Sequence, residues 1–206
     1  EKNFIACCVT LPHKQAVIPM VDELTDAAKA VGAVNWIFNR RGKLVGHNTD
    51  GSGFLRALRE KTCFDPKGSD VVVFGAGGAA RAIVHALKGA EVNRLTIANR
   101  TVEKAQVLAS YFSEGKFKPK AIGMAKDEMA NHVPFANLLV NTTSLGMSGG
   151  PAEIASPVTS DMISAQAIGY DAVYAPPMTT FLREVEAAGG EPAGGITMLV
   201  FQGIEG

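Results

Sequence analysis

A chain of 206 residues is long enough for one substantial core or two small ones. Its 47% hydrophobic and 19% charged residues exclude a disordered or collagen-like chain. Twenty basic and twenty acidic residues cancel to zero net charge, so no global positive field gathers nucleic acid or an anionic membrane, and neither is expected as a partner. The three cysteines, Cys7, Cys8 and Cys63, are an odd set with two sequence neighbours; they suggest no disulfide framework and point to a reducing cytoplasm. No apolar run of about 18 residues and no basic-then-apolar leader is present.

In chain order, an apolar run over 4–11 reads as a strand. Val17, Met20, Val21, Leu24, Ala28 and Val31, three or four apart, predict a helix over 15–31, opened by Pro12. Strands over 33–38 and 44–45 flank the Arg40-Arg41-Gly42-Lys43 turn, and a helix over 50–60 carries Phe54, Leu55 and Leu58 on one side. From Ser69 onward buried strands alternate with helices: strand 71–74, helix 79–88, strand 95–98, helix 102–112, strand 138–140, strand 168–173 and helix 179–188. Continuous apolar strands separated by helices require a parallel sheet covered on both faces, so 53–196 is predicted to be a doubly wound α/β domain, with 144–157 a mobile Gly-, Ser- and Pro-rich loop.

The strand Val71-Val72-Val73-Phe74 runs directly into Gly75-Ala76-Gly77-Gly78-Ala79-Ala80 and a helix, the context that a dinucleotide-binding fingerprint demands. Gly75 would permit the turn, Gly77 would let a pyrophosphate reach the backbone, and Ala80 is small enough for close helix-to-strand packing. The helix N-terminus would offer free N–H groups to the phosphates. A glycine turn without a ligand is the alternative. A nicotinamide cofactor without a 2′-phosphate is usually met by a carboxylate about 20 residues on. Here the second strand ends in Asn99-Arg100-Thr101, with Lys104 one turn later and no acid at the strand end, which favours NADP. Read structurally, Arg100 is a solvated loop charge and Thr101 the cap of the next helix.

Alcohol redox chemistry needs a proton-exchanging group, and the front segment supplies Lys14 and Asp50 at element boundaries, where such residues also occur as surface charges or caps. Taken together, Val9-Thr10-Leu11-Pro12-His13-Lys14, Gly32-Ala33-Val34-Asn35, Asn48-Thr49-Asp50-Gly51, the glycine turn, Asn99-Arg100-Thr101, Asn141 to Met147, Asp171-Ala172-Val173-Tyr174 with Pro176 and Thr179, and Gly195 through Met198-Leu199 to Gln202 closely resemble the shikimate and quinate dehydrogenase family. They stand in the family's order across nearly the whole chain.

That resemblance implies a Rossmann-like NADP domain over 53–196 and a smaller, partial α/β substrate domain formed by 1–52 with 197–206. It implies Lys14 and Asp50 as the catalytic pair, with Thr10, Asn35, Tyr174 and Gln202 also meeting the substrate. It implies cofactor contacts from Gly75, Ala76, Gly77, Gly78, Ala79, Asn99, Arg100, Thr101 and Lys104, from Thr142, Thr143, Ser144 and Met147 on a loop along the cofactor, and from Gly195 and Met198 beside the nicotinamide. The implied activity is reversible, NADP-dependent interconversion of 3-dehydroshikimate and shikimate by a cytoplasmic monomer or homodimer. A quinate-accepting member and a non-catalytic dinucleotide sensor are the alternatives. The family's Ser-x-Ser segment, which grips the substrate carboxylate, and its last helix are expected to lie outside this chain. Cys8, Trp36, His47 and Ala175 depart from the residues commonly found there, Asn, Thr, Tyr and Asn. The four histidines lack metal-ligand spacing, so no metal is assigned and a structural role is expected; Cys8 reads as inert packing.

Overall fold

In the computed structural model, residues 4–206 are described, so the first three residues of the predicted substrate unit lie outside them. Two sheets divide the chain. The first is four-stranded, in the order β1-β3-β4-β2, from β1 (Ala6–Cys8), β2 (Glu23–Leu24), β3 (Trp36–Arg40) and β4 (Lys43–His47). Strand β3 pairs antiparallel with β1 and β4, while β2 runs parallel to β4.

The helix expected over 15–31 is broken. Hydrogen-bonded turns occupy 11–17, a single 3-10 turn spans Ile18–Met20, and only α1 (Asp26–Val31) is α-helical. Pro19 has no N–H to donate, and Val21 and the two residues of β2 are extended because Glu23 and Leu24 pair with Val45 and Gly46. The three-and-four spacing therefore spans turns, a two-residue strand and a short helix, with Ala28 and Val31 buried, Val17, Val21 and Leu24 half-buried and Met20 exposed. Helix α1 starts where Thr25 Oγ1 accepts from Ala28 N at 3.3 Å, and ends at Gly32 with φ +68°.

Helix α2 (Asp50–Thr62) leads from the first sheet to the second. The second sheet is six-stranded and entirely parallel, in the order β10-β9-β8-β5-β6-β7. Its strands are β5 (Asp70–Phe74), β6 (Arg94–Ala98), β7 (Lys120–Ile122), β8 (Leu138–Asn141), β9 (Ile168–Asp171) and β10 (Glu191–Gly194). Between them lie α3 (Gly78–Gly89), α4 (Val102–Phe112), the short α5 (Lys126–Met129) and α6 (Thr180–Ala187), and α7 (Ile196–Glu205) follows β10. Val71, Val73, Leu138 and Val140 pack with α2, α3, α4 and α7 on one face, while Val72, Phe74 and Leu139 pack with α6 on the other. This is the doubly wound architecture expected, with the strand order reversing between β5 and β8.

Strands β7 and β10, with Lys120 and Glu191 exposed and only three or four residues each, carry too little apolar sequence to stand out before the sheet presents its edges. The strand expected over 168–173 stops at Asp171, where the chain turns into the loop before α6. Segment 144–157 is irregular turn structure, as expected of a loop. Helix α2 approaches α3 and α7 closely through two glycines: a Cβ on Gly51 would stand 2.8 Å from Ala82 O, and one on Gly53 would stand 2.9 Å from Gln202 N. That approach carries α7, the end of the described chain, back onto the first sheet.

Candidate active site

The glycine turn lies at the reversal point, where the carboxyl ends of β5 and β8 diverge and open α/β sheets bind their ligands. Gly75 has φ +109°, and a Cβ there would lie 2.5 Å from Thr142 Oγ1, so only glycine fits. Thr142 holds the adjacent strand end by donating from Oγ1 to Phe74 O at 2.7 Å. A Cβ on Gly77 would meet nothing within 4 Å, so the turn is open on its outer side. Gly77 also caps α3 without a side-chain hydrogen bond, leaving the first N–H groups of that helix to an external acceptor. The turn fits a pyrophosphate.

At the carboxyl end of β6, Arg100, Thr101 and Lys104 are exposed, and Asn99 Nδ2 donates to Thr101 O at 2.7 Å. Among the described residues neither Arg100 nor Lys104 is in an ion pair. Thr101 holds the N-cap position of α4 but makes no side-chain capping bond, which leaves its hydroxyl available. Met147 lies in the 144–157 loop, and Gly195 and Met198 open α7, with Met198 buried.

The front segment brings its predicted residues to this crevice. Lys14 Nζ stands 2.6 Å from Asp50 Oδ2, with the carboxylate side chain 4% and the lysine side chain 17% exposed. Lys14 packs over the start of α3, since a Cβ added to Gly78 would fall 2.8 Å from Lys14 Cβ. Asp50 opens α2, and its backbone N donates to Asn48 Oδ1 at 3.0 Å. Asn35 Nδ2 reaches Thr49 Oγ1 and Gln202 Oε1 at 2.9 Å and Asp50 Oδ1 at 3.0 Å. Two amide protons cannot satisfy three acceptors together, so the cluster keeps acceptor capacity for a hydroxyl-bearing ligand. Asn35 Oδ1 in turn accepts from Thr49 N at 2.9 Å, which fixes the amide's orientation. Residues separated by as many as 167 positions thus meet in one polar pocket beside the glycine turn.

Two predicted substrate residues stand apart. Thr10 is exposed, and Tyr174 is 49% exposed; among the described residues neither side chain bonds to the cluster. Asn48 and Thr49 belong to the cluster, although the sequence reading assigns a role only to their neighbour Asp50. The signal for them is their place in the Asn-Thr-Asp-Gly run: Asn48 Nδ2 donates to Ala33 O at 2.9 Å, and Thr49 Oγ1 donates to Gln202 O at 2.8 Å. Cys8 is exposed on β1, so it does not pack as expected; desolvation and then the neighbouring Cys7 raise its thiol pKa, which keeps it protonated. Burial also pushes the pKa of His47, His85 and His132 below the ordinary histidine range.

Comparison with known proteins gives the family. A family model for the shikimate dehydrogenase substrate-binding domain matches residues 1–37, and one for shikimate / quinate 5-dehydrogenase matches residues 57–145. The chain is 48% identical to the shikimate dehydrogenase (NADP(+)) of Methanopyrus kandleri, over 98% of this chain and 70% of that protein. This chain belongs to the shikimate dehydrogenase family. Among solved structures it is similar to a Thermus thermophilus shikimate 5-dehydrogenase in complex with NADP(H) and shikimate, with TM-score 0.82, 35% identity and coverage of 98% of this chain and 71% of that one. It is also similar to a Corynebacterium glutamicum quinate dehydrogenase in complex with NAD, with TM-score 0.85, 30% identity and coverage of 98% and 71%. No described helix is long and apolar enough to cross a membrane.

Proposed function

We propose that this chain is an NADP-dependent shikimate dehydrogenase that reversibly reduces 3-dehydroshikimate to shikimate, with Lys14 and Asp50 handling the proton. The observation that carries the reading is the 2.6 Å Lys14–Asp50 pair set directly over the glycine turn, beside the Asn35–Gln202 pair. When bound, the nicotinamide supplies or accepts the hydride. The chain's own residues do the rest. In the reducing direction Lys14 Nζ gives its proton to the carbonyl oxygen as that oxygen becomes a hydroxyl, and in the oxidising direction it takes the hydroxyl proton back. Asp50 holds the amine in place through Oδ2 and keeps Oδ1 directed at Asn35, so the pair is fixed before substrate arrives. Asn35 and Gln202 offer amide donors and acceptors to the remaining hydroxyls, and the exposed Thr10 and Tyr174 are assigned to the substrate as well.

The cofactor is assigned to Gly75, Ala76, Gly77, Gly78 and Ala79 for the pyrophosphate and to Asn99, Arg100, Thr101 and Lys104 for the 2′-phosphate. Thr142, Thr143, Ser144, Met147, Gly195 and Met198 are assigned to its nicotinamide half. The absence of a carboxylate at the end of β6, where Arg100 stands, supports NADP over NAD. We assign 1–52 with 197–206 to substrate and 53–196 to cofactor, a division supported by the two separate sheets and by Gln202 on α7, which meets Asn35, Trp36 and Thr49. The free, exposed Cys7, Cys8 and Cys63 support a cytoplasmic location, and we assign the chain as a monomer or homodimer. Steady-state oxidation of shikimate with NADP tests the reading: Lys14→Ala should lower kcat by about 10²–10⁴-fold with little change in NADP affinity. A near-normal kcat would remove Lys14 from the proton path.

A further inference from the structure

Asp171 is a carboxylate that the proton path does not use. It ends β9 and is wholly buried, and among the described residues no ion pair includes it. Its partners are neutral and come from three different segments. Oδ1 accepts from Asn141 Nδ2 at 3.0 Å, at the end of β8, and from Val173 N at 2.9 Å, in the loop that presents Tyr174. Oδ2 accepts from Thr179 Oγ1 at 2.5 Å, and Thr179 caps α6 by accepting from Leu182 N at 3.3 Å. The network continues outward, because Asn141 Oδ1 accepts from Thr143 N at 3.0 Å and Thr143 Oγ1 at 2.7 Å, which sets the chain leaving β8 towards Ser144 and Met147.

We propose that Asp171 is a positioning residue whose buried anion ties the ends of β8 and β9 to the cap of α6, and so holds the Thr142–Thr143 and Val173–Tyr174 segments in place to receive the nicotinamide half of the dinucleotide. The inference rests on the dinucleotide site proposed above. An ionised acceptor makes hydrogen bonds roughly twice as strong as a neutral one, so the charge itself sets the stiffness of these segments. The titratable groups around Asp171 do not replace that charge. Tyr170 precedes it on the opposite face of β9 and packs edge-on against Phe54. On α6, Arg183 and Glu186 are exposed and Glu184 Oε2 accepts from Ser160 N; on β10, Glu191 is exposed at the far end of the strand. Burial raises the Asp171 carboxyl to about 6, so its charge disappears within a mildly acidic range.

The test is Asp171→Asn, which keeps the shape and removes the charge, read in two ways. Calorimetry with NADP should give a dissociation constant about tenfold above that of the unaltered protein at pH 7.5, the ratio falling to about one at pH 5, where the parent carboxyl is itself neutral. Taking the ratio cancels titration of the cofactor's own phosphate. Without any cofactor, the Val173 and Thr143 amides should exchange hydrogen about tenfold faster in the variant at pH 7.5, through local openings that leave residue 171 buried and so do not recover the desolvation cost of its charge. Thr179→Val should reproduce both effects and Thr179→Ser should restore them. Equal NADP affinity at pH 7.5, a ratio that ignores pH, or unchanged amide exchange would each overturn the proposal. Failure of the unaltered protein to bind NADP would instead strike the functional reading, and the exchange measurement would still judge Asp171 alone.

Discussion

Replacing Asp171 by Asn should make the folded protein more stable at neutral pH, an unusual sign for a change at a wholly buried, hydrogen-bonded residue. Burial raises its carboxyl from 3.8 to about 6, and the hydrogen bonds from Thr179, Val173 and Asn141 only partly offset this. The folded state therefore holds the proton more tightly than the unfolded chain. Stability from this group is fully present below about pH 4 and is lost as pH rises to about 6. A rise from 3.8 to about 6, at about 1.36 kcal/mol for each pH unit, amounts to a loss of about 3 kcal/mol by pH 7. The Asn side chain resembles the neutral acid and escapes that loss. At pH 7.5 the variant should gain up to about 3 kcal/mol, roughly 6–12 °C in Tm for a chain of this size, and the gain should vanish near pH 4. Thermal unfolding followed by circular dichroism at closely spaced pH values measures the difference, and carboxylates common to both proteins cancel. A variant less stable than its parent at pH 7.5, or a gap that does not change with pH, would refute the reasoning. A charge retained at that cost in stability is what a role in positioning the site requires.

Arg100→Ala should weaken NADP by about 1.5–3 kcal/mol while leaving NAD little affected, as titrated by calorimetry; equal loss for both cofactors would remove Arg100 from the 2′-phosphate site. Gly78→Ala inserts a methyl 2.8 Å from Lys14 Cβ, so it should depress kcat at least tenfold with Tm nearly unchanged; retained turnover would show that Lys14 gives way freely. Gly75→Ala forces a side chain into φ +109° against Thr142 and should cost about 1–3 kcal/mol in thermal unfolding together with NADP binding.

The large sheet was legible because β5, β6, β8 and β9 are buried apolar runs and each of β5 and β6 leads directly into an amphipathic helix. The segment before α1 was not. Val17, Val21 and Leu24 recur at helical spacing, yet Pro19 and the pairing of Glu23 with Val45 win there, and such pairing is invisible in the local sequence. At the site, Lys14, Asp50, Asn35 and Gln202 were nameable from the motifs they sit in, whereas the acceptor excess around Asn35 Nδ2 emerges only when α7 folds back over 167 residues. Thr49, Asn141 and Thr179 escaped for a related reason. Each looks like an ordinary turn or cap residue, and only burial reveals that its polar atoms have to be matched inside the protein.

The central claim is that Lys14 and Asp50 act on shikimate beside an NADP-selective turn, and initial rates for shikimate and quinate against NADP and NAD test it most directly. The account predicts turnover with shikimate and NADP as the best of the four pairs, with Arg100→Ala erasing the preference for NADP and Lys14→Ala lowering turnover about 10²–10⁴-fold for every pair. NAD preferred by the unaltered protein, or near-normal shikimate oxidation in Lys14→Ala, would contradict it.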